Sequence, residues 1–157
     1  MSFKKKLIIL EMANNHSGSL DHGKKIIQSY ADICQNYNNN FEFVFKFQYR
    51  DLDSFIRKDM VGNLEIPLIK RFSETKLTES EFLNLIKCCR LNNFGVMVTP
   101  FDEISVEKAV QHGVDFLKIA SCSFGDWPLM EKISKSGKKV VASCAGANFE
   151  TVDQVVA

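Results

Sequence analysis

The sequence predicts an α/β protein: a (β/α) TIM-type barrel with about five of the eight βα units that a closed barrel needs. Three observations carry that expectation. A unit recurs in which a helix ends near a glycine and the glycine opens a strand: Gly95 begins GVMVTPF, Gly113 begins GVDFLKIAS and Gly137 begins GKKVVASCAG. Strands that alternate with helices imply parallel pairing through right-handed crossovers. Polar residues also gather in one place. Glu11, Lys46 with Gln48, Thr99, Lys118 with Ser121, and Ser143 all fall toward the C-terminal ends of successive strands, the ends that surround the active site in such a barrel.

Each element has its own local signal. LIILEMA (7–13) is an apolar run of strand length. Ser19 then stands where an N-cap belongs, and Leu20, Ile26, Ile27, Tyr30, Ile33 and Cys34 follow at helical spacing. The second strand, within FEFVFKFQYRD (41–51), sets Phe41, Phe43, Phe45 and Phe47 on one face and Lys46 and Gln48 on the other, because strand side chains alternate. A polar connection over 49–77 comes next, far longer than the ~2–6 residues usual between strand and helix. It reads either as a lid or sugar contact, or as a surface insertion. Thr78 to Glu81 is a T-x-x-E capping box, and Leu77 with Phe82 occupies the positions of a hydrophobic staple, so a helix runs from there to about Asn93. The later helices start near Asp102, near Asp126 or Trp127, and at Asn148. Trp127 and Pro128 are expected to open their helix and seal the barrel rim.

Composition narrows the function. Twenty basic and nineteen acidic side chains give a formal charge of +1, with no basic stripe for nucleic acid. The lysines before LIIL resemble the start of a signal peptide, but the apolar run stops at Glu11, and no run reaches the ~20 residues of a membrane span. Five cysteines form no CxxC pair, which suits a reducing compartment; most are expected to be buried thiols, and the protein is expected to be cytoplasmic. No GxGxxG follows the first strand and no Walker sequence occurs, which lowers the odds of a dinucleotide or P-loop fold.

The strand-end residues also carry a resemblance. EMANNHSGS, FKFQ, TPFD, KIAS and VVASCAG, in that order and over nearly the whole chain, resemble successive strand motifs of the sialic acid synthase family. Those enzymes condense phosphoenolpyruvate with an N-acetylated amino sugar. The resemblance implies that Glu11 faces the sugar and assists proton movement at its aldehyde end. It implies that Lys46, Thr99, Lys118, Ser121 and Ser143 hold the phosphate and carboxylate of phosphoenolpyruvate, with Gln48 beside them. Lysines and hydroxyl donors suit such an anion. The resemblance further implies a divalent metal, usually manganese, whose histidine ligands belong to later strands, and a homodimer for a full-length protein. Two departures leave the sugar open: Glu-Met-Ala stands where many members have Glu-Ala-Gly, and Ser-Cys-Ala-Gly where many have Ser-Thr-Gly-Met.

Five strands are counted where a complete barrel has eight, so the chain is expected to be a truncated part of a longer synthase. His16 is placed to approach the site, whereas His22 and His112 read as surface residues; none has metal-ligand spacing. Two rival readings stay open. Lys118, behind Phe116 and Leu117, suits a Schiff-base aldolase if burial depresses its pKa. Alternatively, the chain is a non-catalytic fragment.

Overall fold

The computed structural model describes residues 5–157; the start of the basic segment, residues 1–4, lies outside the described residues. Strands β1 (Lys6–Ala13), β2 (Phe41–Tyr49), β3 (Gly95–Pro100), β4 (Phe116–Ile119) and β5 (Lys139–Ala142) pair in parallel, in chain order, as one half-barrel sheet. Helix α1 (Leu20–Cys34) links β1 to β2. Three helices, α2 (Leu52–Phe55), α3 (Pro67–Glu74) and α4 (Glu79–Leu91), link β2 to β3. Helices α5 (Glu103–Gln111), α6 (Trp127–Ser134) and α7 (Phe149–Val156) follow β3, β4 and β5. Among the described residues β1 and β5 are paired on one side only.

Alternation in β2 divides the core in two. Phe43, Phe45 and Phe47 turn outward into the main cluster with Ile27 of α1, Leu85 and Cys89 of α4, and Phe94. Phe45 meets Phe94 at 5.1 Å and Tyr30 at 5.6 Å between ring centroids, both edge to face. Such contacts add about 0.5–1.5 kcal/mol per pair beyond the area buried. Val44, on the opposite face, joins Met97 and Phe116 in a second small cluster, with Leu7 and Val141 packed against it. The phenylalanines thus bind the sheet to its helices, as the alternation implied, and the even-numbered face of β2 is left for the barrel interior.

Helix starts follow the capping residues. Ser19, Asp102, Asp126 and Asn148 each accept a backbone N–H three residues on, and Thr78 and Glu81 close a reciprocal capping box. The fourth strand begins at Phe116 and the fifth at Lys139, not at the glycines before them. Gly113 (φ +68°) and Gly137 (φ +67°) sit in the left-handed region that closes a helix, and the chain then needs two more residues or one to reach the sheet.

The 49–77 connection is more ordered than its polarity suggested, for it holds α2, a 3₁₀ turn at Lys58–Met60, and α3. Pro67 opens α3, and Ile69 and Phe72, three apart, face inward. The end of α3 abuts the β1–α1 turn. Gly18 lies there with φ +70°, and a Cβ on it would come within 2.6 Å of the Glu74 carbonyl oxygen, so glycine is required twice over. The cysteines correct another expectation: Cys34 and Cys89 are buried and Cys88 half-buried, but Cys122 and Cys144, at the ends of β4 and β5, are exposed. Trp127 and Pro128 do open α6, with Trp127 46% exposed.

Candidate active site at the strand ends

Strand register brings the polar residues into rows. Glu11 pairs with Lys46 and Lys46 with Met97, whereas Gln48 pairs with Thr99 one step further toward the strand ends. Side chains at paired positions of a parallel sheet point to the same face, so Glu11, Lys46, Gln48 and Thr99 share the interior face with Val44 and Met97. Met97 pairs with Phe116, and Lys118, two residues on, keeps that parity; it pairs in turn with Val141. Ser143 follows Val141 at the same parity and is half-buried, its N–H donating to the Ile119 carbonyl at 3.0 Å. Val44, Met97 and Phe116 therefore make the lower part of this face apolar, with Lys139 beside Phe116, and the polar side chains from Glu11 and Lys46 onward gather above them.

Glu11 and Lys46 form an ion pair, with the Lys46 side chain 14% and that of Glu11 46% exposed. A bulge in β1 just beyond Glu11 fixes the carboxylate. Ala13 takes φ +43°, and its N–H donates to Glu11 Oε1 at 3.0 Å. Thr99 is 2% exposed, and its Oγ1 has no hydrogen-bond partner among the described residues. Lys118 donates from Nζ to the Ile119 carbonyl at 2.7 Å. Burial holds its pKa below the ordinary lysine value, and the nearby charge of Lys46 pushes it the same way. Ser121 differs from the rest: it is exposed, opens a 3₁₀ turn after β4 whose third residue, Ser123, is buried, and leaves the sheet ladder.

Arg50 was not anticipated. It follows β2 at the parity of Lys46 and Gln48, and its guanidinium lies between Phe101, 3.8 Å away, and Phe72 of α3, 4.2 Å away. Its Nη2 donates to Gln48 Oε1 at 3.0 Å. Burial, with Arg71 nearby, lowers its pKa to about 10. Parity alone, carried one step past the strand, would have marked it.

The histidines sort differently from expectation. His16 is buried to 1%, packs edge to face on Phe82, and accepts the Gly18 N–H on Nδ1, so it holds the β1–α1 turn together. Burial lowers its pKa, an effect that His22 increases and Glu81 opposes. His22 is exposed, as read. His112, read as a surface residue, has a side chain only 4% exposed. It links Tyr49 Oη at 3.0 Å to Glu79 at 3.3 Å, because the end of α5 packs against the end of β2. Among the described residues no three His, Cys, Asp or Glu side chains group as metal ligands. The carboxylate at the mouth, Glu11, already neutralises Lys46. These residues do not compose a metal site.

A cavity of about 240 Å³ lies under the 49–77 segment, lined by His16, Gln48, Arg50, Thr75, Lys108 and His112 among others. It touches the interior-facing parity of β2 at Gln48 and Arg50 alone and does not reach Glu11, Lys46, Thr99, Lys118 or Ser143. We assign the site by the rows: five parallel strands do not enclose the space they face, so the barrel mouth is no closed cavity here.

Fold and rows together define a protein of the parallel (β/α)-barrel class, with its polar side chains at the end where that class binds ligands. The NeuB family model matches residues 36–157, and the chain belongs to that family. It is 29% identical, over 157 residues, to N,N'-diacetyllegionaminic acid synthase of Campylobacter jejuni, covering 98% of this chain and 46% of that protein. Among solved structures it resembles a protein described as spore coat polysaccharide biosynthesis protein E from Chromobacterium violaceum (47% identity, TM-score 0.92, 97% of this chain and 45% of that one). It also resembles the N-acetylneuraminic acid synthetase of Leptospira borgpetersenii, solved with citrate (28% identity, TM-score 0.77, 98% and 49%). The chain spans about half the length of these relatives. No helix among the described residues is long and apolar enough to cross a membrane.

Proposed function

We propose that this chain supplies the first five βα units of a synthase that joins phosphoenolpyruvate to an N-acetylated amino sugar, releasing phosphate and forming a sialic-acid-type nonulosonate. The observation that carries this reading is the charge balance of the strand-end rows. Lys46 is paired with Glu11, Lys118 and Arg50 have no ion-pair partner among the described residues, and Thr99 offers a hydroxyl that none of those residues uses. Such a surface matches a ligand with several negative charges. Legionaminic and sialic acid synthases among the relatives support the same chemistry.

Within that reading Lys46 and Lys118 neutralise the phosphate and carboxylate, and Thr99, Gln48 and Ser143 donate hydrogen bonds to them. Ser121 joins them only if its turn folds inward. C3 of phosphoenolpyruvate attacks the sugar aldehyde, water adds at C2, and phosphate leaves with C–O cleavage. Glu11, paired with Lys46 at the rim, exchanges the proton at the aldehyde oxygen. The manganese expected from the family would need ligands that these residues do not supply, and no step here runs through it.

A thermal melt with phosphoenolpyruvate tests the proposal. At a hundred times Kd the ligand contributes about 2.7 kcal/mol, a rise in midpoint of roughly 5–10 °C for a chain of this size. The rise should vanish in Lys46→Ala and in Lys118→Ala, and a cooperative melt that phosphoenolpyruvate leaves unmoved refutes the site. The depressed pKa of Lys118 favours one second reading, a Schiff-base aldolase. Borohydride with pyruvate decides it, since a covalent adduct absent from Lys118→Ala would replace the synthase with the aldolase.

A further inference from the structure

Arg50 is an expensive residue in its position. Its Nε is buried without a hydrogen-bond partner, and no acidic side chain pairs with it among the described residues. Phe72 and Phe101 sandwich the guanidinium at 4.2 and 3.8 Å, and Phe55 approaches at 6.0 Å. The rings offset part of the desolvation through their quadrupoles, yet a neutral side chain such as Met would fill the same slot with no charge to desolvate. The hydrogen bond Arg50 does make goes to Gln48 Oε1, at 3.0 Å.

That bond has a chemical consequence. A guanidinium offers only N–H donors and no acceptor, so the amide atom facing it must be the oxygen. The Gln48 NH2 group is thereby turned the other way, and it makes no hydrogen bond to the protein among the described residues. Gln48 sits in register with Thr99, whose hydroxyl is also unused. With the amide reversed, an oxygen would stand in that row and repel an anion.

We infer that Arg50 is a positioning residue: it fixes the Gln48 amide so that its two N–H donors, and not its carbonyl, face a bound anion at the barrel mouth. Its aromatic slot is built from Phe101, just past β3, and from Phe55 of α2 and Phe72 of α3, so the long 49–77 segment acts through Arg50 on the ligand without touching it. This rests on the proposed phosphoenolpyruvate site. It assigns the segment a role that is neither a lid nor a bare surface insertion.

A double-mutant cycle tests it, with phosphoenolpyruvate titrated calorimetrically into the wild-type chain, Arg50→Met, Gln48→Ala and the double variant. Loss of the Arg50 charge weakens anion binding in every background alike, whereas loss of amide orientation matters only while Gln48 is present. Arg50→Met should raise Kd roughly tenfold in the wild type and less than about threefold in Gln48→Ala. Equal factors in the two backgrounds, or no change in either, overturn the inference and leave the phosphoenolpyruvate site standing. No binding by the wild-type chain overturns both. If Arg50→Met fails to melt cooperatively, Arg50→Gln takes its place in the cycle, because an amide both donates and accepts and so no longer dictates which Gln48 atom faces it. It should show the same dependence on Gln48, and equal factors there overturn the inference equally.

Discussion

Thr99→Val separates a binding role from a structural one, because the two roles predict opposite signs. The substitution is nearly isosteric and removes Oγ1, a buried atom with no partner among the described residues, on a residue 2% exposed. A hydroxyl buried without a hydrogen bond costs about 1–3 kcal/mol, so the variant should be more stable than the wild type by about 1–2 kcal/mol. For a chain of ~150–250 residues each kcal/mol moves the midpoint by about 2–4 °C, and the expected rise is roughly 2–8 °C without ligand. Binding should move the other way. A hydrogen bond to a charged group is worth about 1.5–3 kcal/mol, so phosphoenolpyruvate should bind roughly ten- to a hundredfold more weakly. Differential scanning fluorimetry measures the first quantity and isothermal titration the second. A Thr99→Val chain that melts lower and binds as before would refute the argument, for it would mean that the hydroxyl has a structural partner and no ligand.

Asp102 offers a contrasting case, in which removing a carboxylate should only destabilise. It is buried and accepts from Ser105 N–H (2.7 Å), Asp51 N–H (2.8 Å) and Ser105 Oγ (2.9 Å), tying the start of the 49–77 segment to the cap of α5. Asp102→Ala loses the cap at about 1 kcal/mol and strands two donors at about 1–3 kcal/mol in all, so the melt should fall by roughly 5–15 °C; a fall under 2 °C contradicts this. His16 should make stability depend on pH. Its folded pKa lies below the unfolded value of about 6.5, so its contribution is complete above pH 6.5 and is lost as pH falls through the folded value. His16→Asn keeps an acceptor for the Gly18 N–H, and its melting temperature should decline less between pH 7.5 and 5 than that of the wild type; parallel declines would remove His16 as the cause.

Features set by near neighbours in the chain could be read from the sequence, and features set by distant ones could not. Every helix cap named from the sequence depends on a side chain and a backbone N–H three residues on, which is why Ser19, Thr78, Asp102, Asp126 and Asn148 were legible. Alternation within β2 was equally local, and parallel register then carried it to Glu11 and Thr99. His112 was misread because its partners, Tyr49 and Glu79, lie 63 and 33 residues away and meet it only when α5 folds back. The exposed thiols of Cys122 and Cys144 reflect strand ends that no local pattern marks. Helix α3 did leave a signal in Pro67, Ile69 and Phe72, masked by the charged residues around them.

The location of the unsatisfied atoms argues that stability has been given up at this site for binding. A folded chain hydrogen-bonds nearly all of its buried polar atoms, and each exception asks for a cause. Among the described residues two side-chain atoms are buried and unpartnered: Arg50 Nε and Thr99 Oγ1. They lie in one corner. Thr99 pairs with Gln48 across β2 and β3, Gln48 accepts from Arg50, and Arg50 stacks on Phe101, two residues beyond Thr99. Random defects of packing would scatter through the core, most of which is apolar and without orphans. Defects that converge beside two interior lysines and one carboxylate are instead those expected of a surface whose last partner is a ligand. The same reasoning answers why β2 carries a lysine on its interior face. Lys46 stands where the rows change from apolar to polar, paired with Glu11, and an anion above it would balance the charges of Lys118 and Arg50, which have no ion-pair partner among the described residues.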